Sequence, residues 1–358
     1  ASNSYAPNTF NRSIDDAASF QFPVAIPSSP VWGTLDVASD GTLYVVGTDG
    51  PGGSTFVSRS TDAKNALVPP TFSTGAPDLG GSLRTGGPNP AGLLGQLWVA
   101  VDRSAGPRAG WIYVLASVQT PSDPLDVHFI RSTDGGTTWS APVRVNDDAI
   151  GNGAWQWFGT MSVAPDGLLE AVWNDSRLSG DSTLTALYYS QSTDGGSTWS
   201  ANEQASPIWN SRLGFPNQQK IGDYYHMVSD ANGADLAWAS TFNGEEDVYY
   251  LRIPRITTAV AEDAGRGSRL HPNFPNPFTT STSLRFDVPP AGARVKLEVF
   301  DVRGQRVATL ADGFTTGGTH VARWFGRDGQ GRLASPGIYF CRYEAEGRSE
   351  TRKLMRMR

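Results

Sequence analysis

The stretch from Arg131 to Pro142 reads RSTDGGTTWSAP, and the stretch from Gln191 to Asn202 repeats it as QSTDGGSTWSAN. In each copy a serine stands two residues before an aspartate, followed by two glycines and then a tryptophan. An aspartate in a tight turn accepts hydrogen bonds from nearby backbone N–H groups. Glycine supplies a backbone conformation that other residues avoid, and tryptophan buries a large surface. We name these segments the Asp turns, and they predict repeated architecture rather than repeated chemistry.

Partial copies and repeated hairpins extend this pattern along the chain. Ser60-Thr61-Asp62 opens a copy that lacks the glycines, and SIDDAASF, which ends at Phe20, has phenylalanine in the tryptophan position. WGTLDVASDGTLYVVG from Trp32 aligns with FGTMSVAPDGLLEAVW from Phe158. Both read as two alternating runs around an Asp-Gly turn, which is typical of a β-hairpin. The repeat unit is therefore a hairpin, a third strand, an Asp turn and a fourth strand.

Four such units predict an all-β chain built from propeller blades. They cover residues 33–67, 95–145, 159–206 and 222–253, and the last unit lacks a fourth strand. FQFPVAIP from Phe20 is the candidate for that strand and would close the ring. The residues before it read as a third strand alone, which leaves an N-terminally incomplete propeller open. A sandwich is the alternative all-β fold, but a sandwich gives no reason to repeat its turn chemistry.

Composition agrees with this class and divides the chain in two. The 358 residues include 40 glycines, 24 prolines and 11 tryptophans, and only 18% are charged, which is typical of a turn-rich β protein. Residues 1–265 carry 27 acidic and 13 basic side chains, whereas residues 266–358 carry 8 and 16. We predict a propeller over 1–255, a linker over 256–270 and a second domain over 271–358.

Several classes of function are disfavoured by what the sequence lacks. No stretch is apolar for long enough to span a membrane. The basic C-terminal part lacks the interleaved aromatic side chains that favour nucleic acid. The first residues show no signal peptide, so we expect any such peptide to have been removed or to lie outside this sequence. The single cysteine, Cys341, excludes an internal disulfide framework.

The Asp turns resemble the Asp-box, or BNR repeat, of the sialidase superfamily, Ser-x-Asp-x-Gly-x-x-Trp. The matching residues are Ser132, Asp134, Gly136, Trp139, Ser192, Asp194, Gly196 and Trp199. The resemblance implies a sialidase-like β-propeller in which these residues are structural and lie on the face opposite the active site. Catalytic or calcium-binding roles for Asp134 and Asp194 are the alternative.

About the last ninety residues resemble the type A C-terminal sorting domain of the type IX secretion system, which is close to the immunoglobulin-like domain of flagellar hook-capping proteins. The landmarks are Pro275-Asn276-Pro277-Phe278, Asp301-Val302-Arg303-Gly304, Trp324, Gly337-Ile338-Tyr339 and Lys353-Leu354. About seven short alternating strands suit a small β-sandwich. The family implies export by the type IX machinery to the surface or medium of a Gram-negative, Bacteroidota-like bacterium. A stalk or adhesion module that stays attached is the alternative.

Candidate functional residues fall in the strand 2–3 loops and in the segments that lead into strand 1, the usual binding face of a propeller. They are Asn174, Asp175, Arg177, Arg212, Lys220, Asp223, Tyr224 and His226, with Trp155 and Trp157 as ligand-stacking candidates. Acids, arginines and aromatics together suit a carbohydrate, because aromatic faces stack on sugar rings and charged groups select hydroxyls or carboxylates. Mutual pairing in the loop is the alternative for Asp175 and Arg177. Strand capping is the alternative for Asp223 and Tyr224.

The sialidase family implies three arginines around a substrate carboxylate, a Tyr/Glu nucleophile pair and an aspartate acid/base. The sequence shows no such complete set. It therefore favours a secreted or surface propeller that binds carbohydrate or a surface protein, or serves as a scaffold. An exo-glycosidase of sialidase type and a structural subunit of an extracellular assembly are the alternatives, so catalysis is left undecided. No cofactor or metal is predicted, although the acidic loops leave a structural calcium ion open.

Overall fold

All regular structure described for this chain is β. The computed structural model describes residues 8–215, 218–255 and 268–357, and these ranges contain 27 strands and no α-helix. They therefore hold no helix that could cross a membrane. The chain divides into two compact units, Ala1–Glu203 with Ile208–Arg252 and Gln204–Pro207 with Ile253–Arg358. The predicted all-β class is confirmed, and the predicted linker lies outside the described residues up to residue 267.

Two short strands around an Asp turn open the first unit. β1 (Asn8–Phe10) pairs antiparallel with β2 (Val24–Ala25), and the copy of the Asp turn that ends at Phe20 connects them. β1 and β2 therefore take the positions of the third and fourth strands of a repeat unit, which the sequence predicts for this segment. The prediction that β2 completes the last sheet is wrong, because the turn folds β2 back onto β1. Among the described residues β2 pairs with β1 alone.

The first blade-type sheet follows the predicted repeat as far as its third strand. Its strands, hydrogen-bonded in chain order, are β3 (Leu35–Val37), β4 (Leu43–Thr48), β5 (Thr55–Ser60) and β6 (Ser73–Gly75). The tight turn between β3 and β4 uses Gly41 at a φ of 83°, a conformation that residues with a side chain avoid. The predicted end of this unit at Leu67 is wrong, because an insertion in its Asp turn places β6 after Thr71.

A small hairpin precedes the second sheet. It consists of β7 (Thr85–Gly86) and β8 (Asn89–Leu93). The second sheet, again hydrogen-bonded in chain order, consists of β9 (Trp98–Val101), β10 (Ile112–Val118), β11 (Asp126–Ser132) and β12 (Val143–Arg144). Every residue of β10 is buried, because this strand has neighbours on both faces and at both edges. Its sequence, IYVLASV, is accordingly a nearly continuous apolar run.

Two further sheets complete the propeller strands. The third contains β13 (Gln156–Val163), β14 (Leu169–Asp175), β15 (Leu184–Ser192) and β16 (Glu203–Gln204), with β17 (Trp209–Asn210) also paired to β15. The fourth has three described strands, β18 (His226–Asp230), β19 (Gly233–Ser240) and β20 (Asp247–Pro254). Because neighbouring strands run antiparallel, the Asp turns of the first three sheets lie at one end of the sheet and the strand 2–3 loops at the other.

Neighbouring sheets pack face to face through buried apolar side chains. Between the first and second sheets lie Val46, Val57, Val99, Val114 and Ile130, among others. Between the second and third lie Leu115, Phe129, Met161, Ala171 and Trp173, among others. Burying one such side chain contributes about 1.5–3 kcal/mol. Successive antiparallel sheets packed in this way are β-propeller blades, and the predicted propeller is confirmed.

The second unit is a sandwich of two antiparallel sheets. Its strands are β21 (Arg269–Leu270), β22 (Thr282–Val288), β23 (Ala293–Asp301), β24 (Arg306–Thr315), β25 (Gly318–Trp324), β26 (Gly337–Ala345) and β27 (Arg348–Arg356). One sheet has the order β21-β22-β25 and the other the order β24-β23-β26-β27. Alternate side chains of both sheets enclose a core that includes Phe286, Leu297 and Trp324. The predicted small immunoglobulin-like sandwich is confirmed.

Candidate functional site

The Asp turns share one hydrogen-bond pattern. The Ser132 hydroxyl donates to Asp134 Oδ1 at 2.8 Å, and the same oxygen accepts the Thr138 N–H at 2.9 Å. Asp134 Oδ2 accepts the Thr138 hydroxyl at 2.5 Å. These three bonds recur in the sets Ser13/Asp15/Ser19, Ser60/Asp62/Thr71 and Ser192/Asp194/Thr198. The pattern survives even where the chain between aspartate and threonine is longer.

These bonds engage the aspartates fully and lower their pKa values. Bonds from Thr138 and Ser132 lower the pKa of Asp134 from 3.8 to about 2. At Asp194 partial burial opposes the shift, yet hydrogen bonds still lower the pKa to about 2. Trp199 packs edge-on against Phe129 of the preceding sheet, with ring centroids 5.4 Å apart. The geometry supports an architectural role for these turns, since both carboxylate oxygens bond to groups within the turn itself.

In three of the four Asp turns the residue before the serine is an arginine that contacts the next Asp turn. Arg131 Nη1 donates to the Gly195 carbonyl at 2.9 Å and to the Ser197 hydroxyl at 2.6 Å. Arg12 donates in the same way to two carbonyls of the turn after β5, at 2.5 Å each. Arg59 lies against Gly135 of the next turn. In three of the four turns an arginine thus contacts the following turn, whereas Gln191 precedes the fourth.

Asp175 and Arg177, two candidate catalytic residues, hold each other. Asp175 is buried at the end of β14, and its Oδ2 accepts Arg177 Nε and Trp173 Nε1, both at 2.9 Å. Its Oδ1 accepts the Arg177 backbone N–H at 2.9 Å and the Gln156 amide at 3.2 Å. Burial opposes the shift, but hydrogen bonding to Asp175 raises the pKa of Arg177 above its ordinary value. Both carboxylate oxygens are therefore engaged within the protein.

The same network continues from Arg177 into the loops of the second sheet. Arg177 Nη1 donates to Asp147 at 2.5 Å, and its Nη2 lies 3.4 Å from Asp148. Asp148 accepts Arg144 Nη2 at 2.9 Å, and Arg144 Nε donates to Asp126 at 2.6 Å. Alternating acids and arginines thus compensate one another over two sheets. This arrangement supports mutual pairing rather than ligand binding by Asp175 and Arg177.

Trp157 and Asn174 belong to the core. Trp157 is fully buried, and its ring lies 4.6 Å from Phe158 and 6.0 Å from Trp209, measured between centroids. Asn174 is also fully buried and donates Nδ2 to the Tyr225 hydroxyl at 2.8 Å. The prediction that Trp157 stacks on a ligand is wrong, because β13 directs this side chain between packed sheets.

Trp155 and Arg212 lie together beside the β7–β8 hairpin. Trp155 is half-buried, and the Arg84 guanidinium covers its ring at 4.6 Å from the centroid. Gly87 fits so closely that a Cβ there would lie 2.3 Å from the same ring. Arg212 Nη2 donates to the Gly87 carbonyl at 2.7 Å. Both candidates therefore support the hairpin from outside, and neither lines the cavity on its other side.

Asp223 and Tyr224 do line a cavity, which has a volume of about 660 Å³. The lining residues are Trp32, Gly33, Thr85, Pro90, Ala91, Gly92, Leu93, Gln96, Asp223 and Tyr224. Asp223 Oδ1 accepts the Leu93 N–H at 2.9 Å, and its Oδ2 accepts the Lys220 ammonium at 2.6 Å. Tyr224 is 57% exposed. The cavity is a depression open to solvent, and it combines ring faces with a held carboxylate.

Sequence reasoning missed the hairpin that forms one wall of this cavity. The stretch TGGPNPAGL reads as a turn between blades, because Gly and Pro mark chain reversals. Strands of two and five residues are too short to show an alternating pattern.

His226, at the start of β18, is exposed and lies against Trp98, with ring centroids 5.8 Å apart. Within the ranges that the structure describes, no group of three or more His, Cys, Asp or Glu side chains could hold a metal ion.

The landmarks of the C-terminal unit meet at its last strand. Asn276 Oδ1 accepts the Met355 N–H at 2.8 Å, and Asn276 Nδ2 donates to the Lys353 carbonyl at 3.0 Å. The ring of Phe278 packs against Trp324 with centroids 5.4 Å apart, and Tyr339 packs against the same tryptophan at 5.0 Å. Four separate parts of the sequence motif thus form one packed cluster.

The fold and this cavity define a two-unit all-β protein, a β-propeller with an immunoglobulin-like sandwich. Neither a family model nor a curated protein matches the chain. The type IX secretion surface component PorZ of Porphyromonas gingivalis aligns with 94% of this chain at 13% identity and a TM-score of 0.31, and this chain spans 46% of it. The α-L-arabinanase of Penicillium chrysogenum aligns with 92% of this chain and 95% of its own length, at 13% identity and a TM-score of 0.38. These scores are too low to carry an argument about function.

Proposed function

We propose that this chain is a secreted or cell-surface propeller that binds carbohydrate in the cavity lined by Asp223 and Tyr224. The contrast between the two groups of charged candidates carries the proposal. Asp175 is buried, and its two oxygens accept four donors of the protein, whereas Asp223 pairs with Lys220 but keeps 29% of its side chain exposed, next to an exposed tyrosine. Rings with a few well-placed polar groups are what a sugar requires.

The charges around the cavity favour a neutral sugar. The Lys220 ammonium lies 2.6 Å from Asp223 and compensates its charge. The lining residues include no arginine, so the nearest cation to an acidic sugar at Asp223 would be Lys220, which is already paired with that carboxylate. A carboxylate has about four acceptor sites, and those left by Leu93 and Lys220 can accept sugar hydroxyls. Trp32 and Tyr224 supply the ring faces.

A glycan array with the full chain, followed by calorimetry on the sugars that bind, tests this proposal. We expect Tyr224→Ala and Trp32→Ala each to weaken binding about tenfold, which corresponds to about 1.4 kcal/mol, because each removes a ring face. Trp199→Ala is the matched control, since it removes a tryptophan in an Asp turn, away from the cavity lining, and it should change affinity less than about twofold (~0.4 kcal/mol). A folded parent protein that binds no glycan on the array would overturn the proposal.

An exo-glycosidase of sialidase type is the alternative, since Asp223 stands next to an exposed Tyr224. A fluorogenic panel of α-sialosides and neutral glycosides separates the two functions. Binding without turnover favours a binding propeller. Turnover by the parent that is lost in Asp223→Ala and kept in Asp175→Asn would instead establish an enzyme that works at this cavity.

We further propose that the C-terminal sandwich directs export by a type IX machinery. The support is that the motif residues around Asn276, Phe278 and Trp324 form one cluster with the last strand. A reporter fused to residues 256–358, which include strand β21 of the sandwich, should leave the cells of a bacterium that has this machinery. The same reporter fused to residues 1–255 is the control and should stay inside. Equal retention of both fusions would contradict the proposal.

A further inference from the structure

One buried side chain ties the two walls of the cavity together. Asn89 is fully buried, and its Nδ2 donates to the Leu93 carbonyl at 2.6 Å and to the Gly222 carbonyl at 2.9 Å. Its Oδ1 accepts the Ile221 N–H at 3.0 Å. Leu93 belongs to the hairpin wall, whereas Ile221 and Gly222 lead directly into Asp223. A single amide therefore bridges the hairpin and the segment that carries the cavity carboxylate, and we name it the Asn89 bridge.

This bridge decides where the Asp223 carboxylate points. The Leu93 N–H donates to Asp223 Oδ1 at 2.9 Å, while the Leu93 carbonyl accepts the Asn89 amide. The backbone carbonyl and N–H of Leu93 thus link the Asn89 bridge to the Asp223 carboxylate. An asparagine offers two donors and an acceptor in a small volume. An aspartate would set oxygen against two carbonyls, and an alanine would leave buried partners unsatisfied.

We propose that Asn89 is the positioning residue of this site. It sets the separation of the cavity walls and aims the Leu93 N–H at Asp223, so that the carboxylate presents its remaining acceptor sites to the ligand. The part of this inference that concerns the ligand rests on the proposed carbohydrate function. The part that concerns Asp223 depends on the protein alone, and the experiments below separate the two.

Gly92 offers a second, independent way to disturb the bridge. A Cβ at Gly92 would lie 2.3 Å from Asn89 Nδ2 and 2.8 Å from the Gly222 carbonyl. A backbone oxygen cannot yield as a side chain can, so Gly92→Ala pushes the hairpin away without removing a polar group. If Asn89→Ala proves poorly folded, Gly92→Ala still tests the same geometry.

Hydrogen exchange of the hairpin tests the protein part without any ligand. In the full chain we expect Asn89→Ala and Gly92→Ala to speed exchange of the Leu93 amide at least tenfold. Asp223→Ala should speed it in the parent but not further in Asn89→Ala, because Asp223 accepts the Leu93 N–H and Asn89 holds Leu93 in place through its carbonyl. Asn152→Ala is the control, since it removes an amide that binds Asp148 in an exposed loop. Unchanged Leu93 exchange in folded Asn89→Ala, or additive effects of the two variants, would overturn the proposal.

Calorimetry with lactose and cellobiose as probes tests the ligand part. We expect Asn89→Ala to weaken binding about tenfold in the parent and less than twofold in an Asp223→Ala background, since coupled residues are not additive. Equal losses in both backgrounds would mean a general effect on the fold and would overturn the positioning role. If neither sugar binds the parent while the exchange coupling holds, the carbohydrate function with these sugars fails and the positioning of Asp223 stands.

Discussion

At the scale of single residues, the Asp-turn carboxylates make stability depend on pH. Hydrogen bonds from Thr138 and Ser132 lower the pKa of Asp134 from 3.8 to about 2. A carboxyl whose pKa is lowered on folding contributes stability above its unfolded pKa, and that contribution is lost as the pH falls through the folded value. We expect Asp134→Asn to be less stable than the parent at pH 5, with a difference that narrows from about pH 4 towards pH 2. Urea unfolding at pH 5, 4 and 3 measures this, and a constant difference would contradict it.

The two tryptophans of WQWFG are expected to contribute unequally to the free energy of unfolding. Trp157 is fully buried between sheets, and truncating such a side chain costs about 3–5 kcal/mol. Trp155 is half-buried beneath Arg84, so Trp155→Ala should cost clearly less. The free energy of unfolding in urea measures both variants. Equal losses would show that the two rings share one environment, contrary to the structure.

The sequence could not distinguish these two tryptophans. They stand two positions apart, which in a regular strand would place both on one face. The chain instead enters β13 only at Gln156, so the alternation does not yet hold at Trp155. By contrast, the Asp turns could be predicted in detail, because serine, aspartate and threonine bond to each other within a few residues. Hydrogen bonds between residues close in sequence can be predicted from the sequence, whereas the residue at which a strand begins depends on the strands packed beside it.

At the scale of the elements, the arginine before three of the four Asp turns should stabilise the packing of successive sheets. Arg131 reaches the Gly195 carbonyl and the Ser197 hydroxyl of the next turn. Gln191 holds the same position in the next copy, but its amide oxygen accepts the Tyr189 hydroxyl within its own sheet. We expect Arg131→Ala to cost about 1–2 kcal/mol and Gln191→Ala less than about 0.5 kcal/mol.

Hydrogen exchange gives the local readout for this pair of variants. Arg131→Ala should speed exchange in the turn around Gly195, which belongs to a different sheet from the mutated residue. Gln191→Ala should leave that turn unchanged and so controls for its own sheet. Faster exchange confined to the sheet of Arg131 would show that the arginine does not couple neighbouring sheets.

Elements made of very short strands could not be predicted from the sequence. The hairpin that walls the cavity has strands too short for a periodic signal, and its position is fixed by Asn89, which bonds to residues far along the chain. β6 lies further along the chain than the sequence predicts for a different reason. Residues are inserted between Asp62 and Thr71, yet the hydrogen bonds between these two residues are kept. Of the ten residues that line the cavity, Asp223 and Tyr224 were therefore predictable. The wall that faces them was not, because long-range bonds place it.

At the scale of the whole molecule, the two units have separate cores. Trp157 lies in the core of the propeller strands, and Trp324 lies in that of the sandwich, where it packs against Phe278 and Tyr339. The charge division along the chain predicted two domains but could not place these cores. Units with separate cores commonly depart from a single two-state transition, so we expect two calorimetric transitions in the full chain.

The two buried tryptophans assign those transitions. Trp157→Ala should lower the melting temperature of one transition and leave the other nearly unchanged, because removing this ring leaves a void only in the propeller core. Trp324→Ala should do the reverse. For a unit of roughly 90 residues, a loss of about 3 kcal/mol corresponds to a downward shift of more than 10 °C, well above the error of differential scanning calorimetry. A single transition that both variants shift would mean that the two cores unfold together, and the stability effects of mutations at the cavity would then have to be measured on the whole chain.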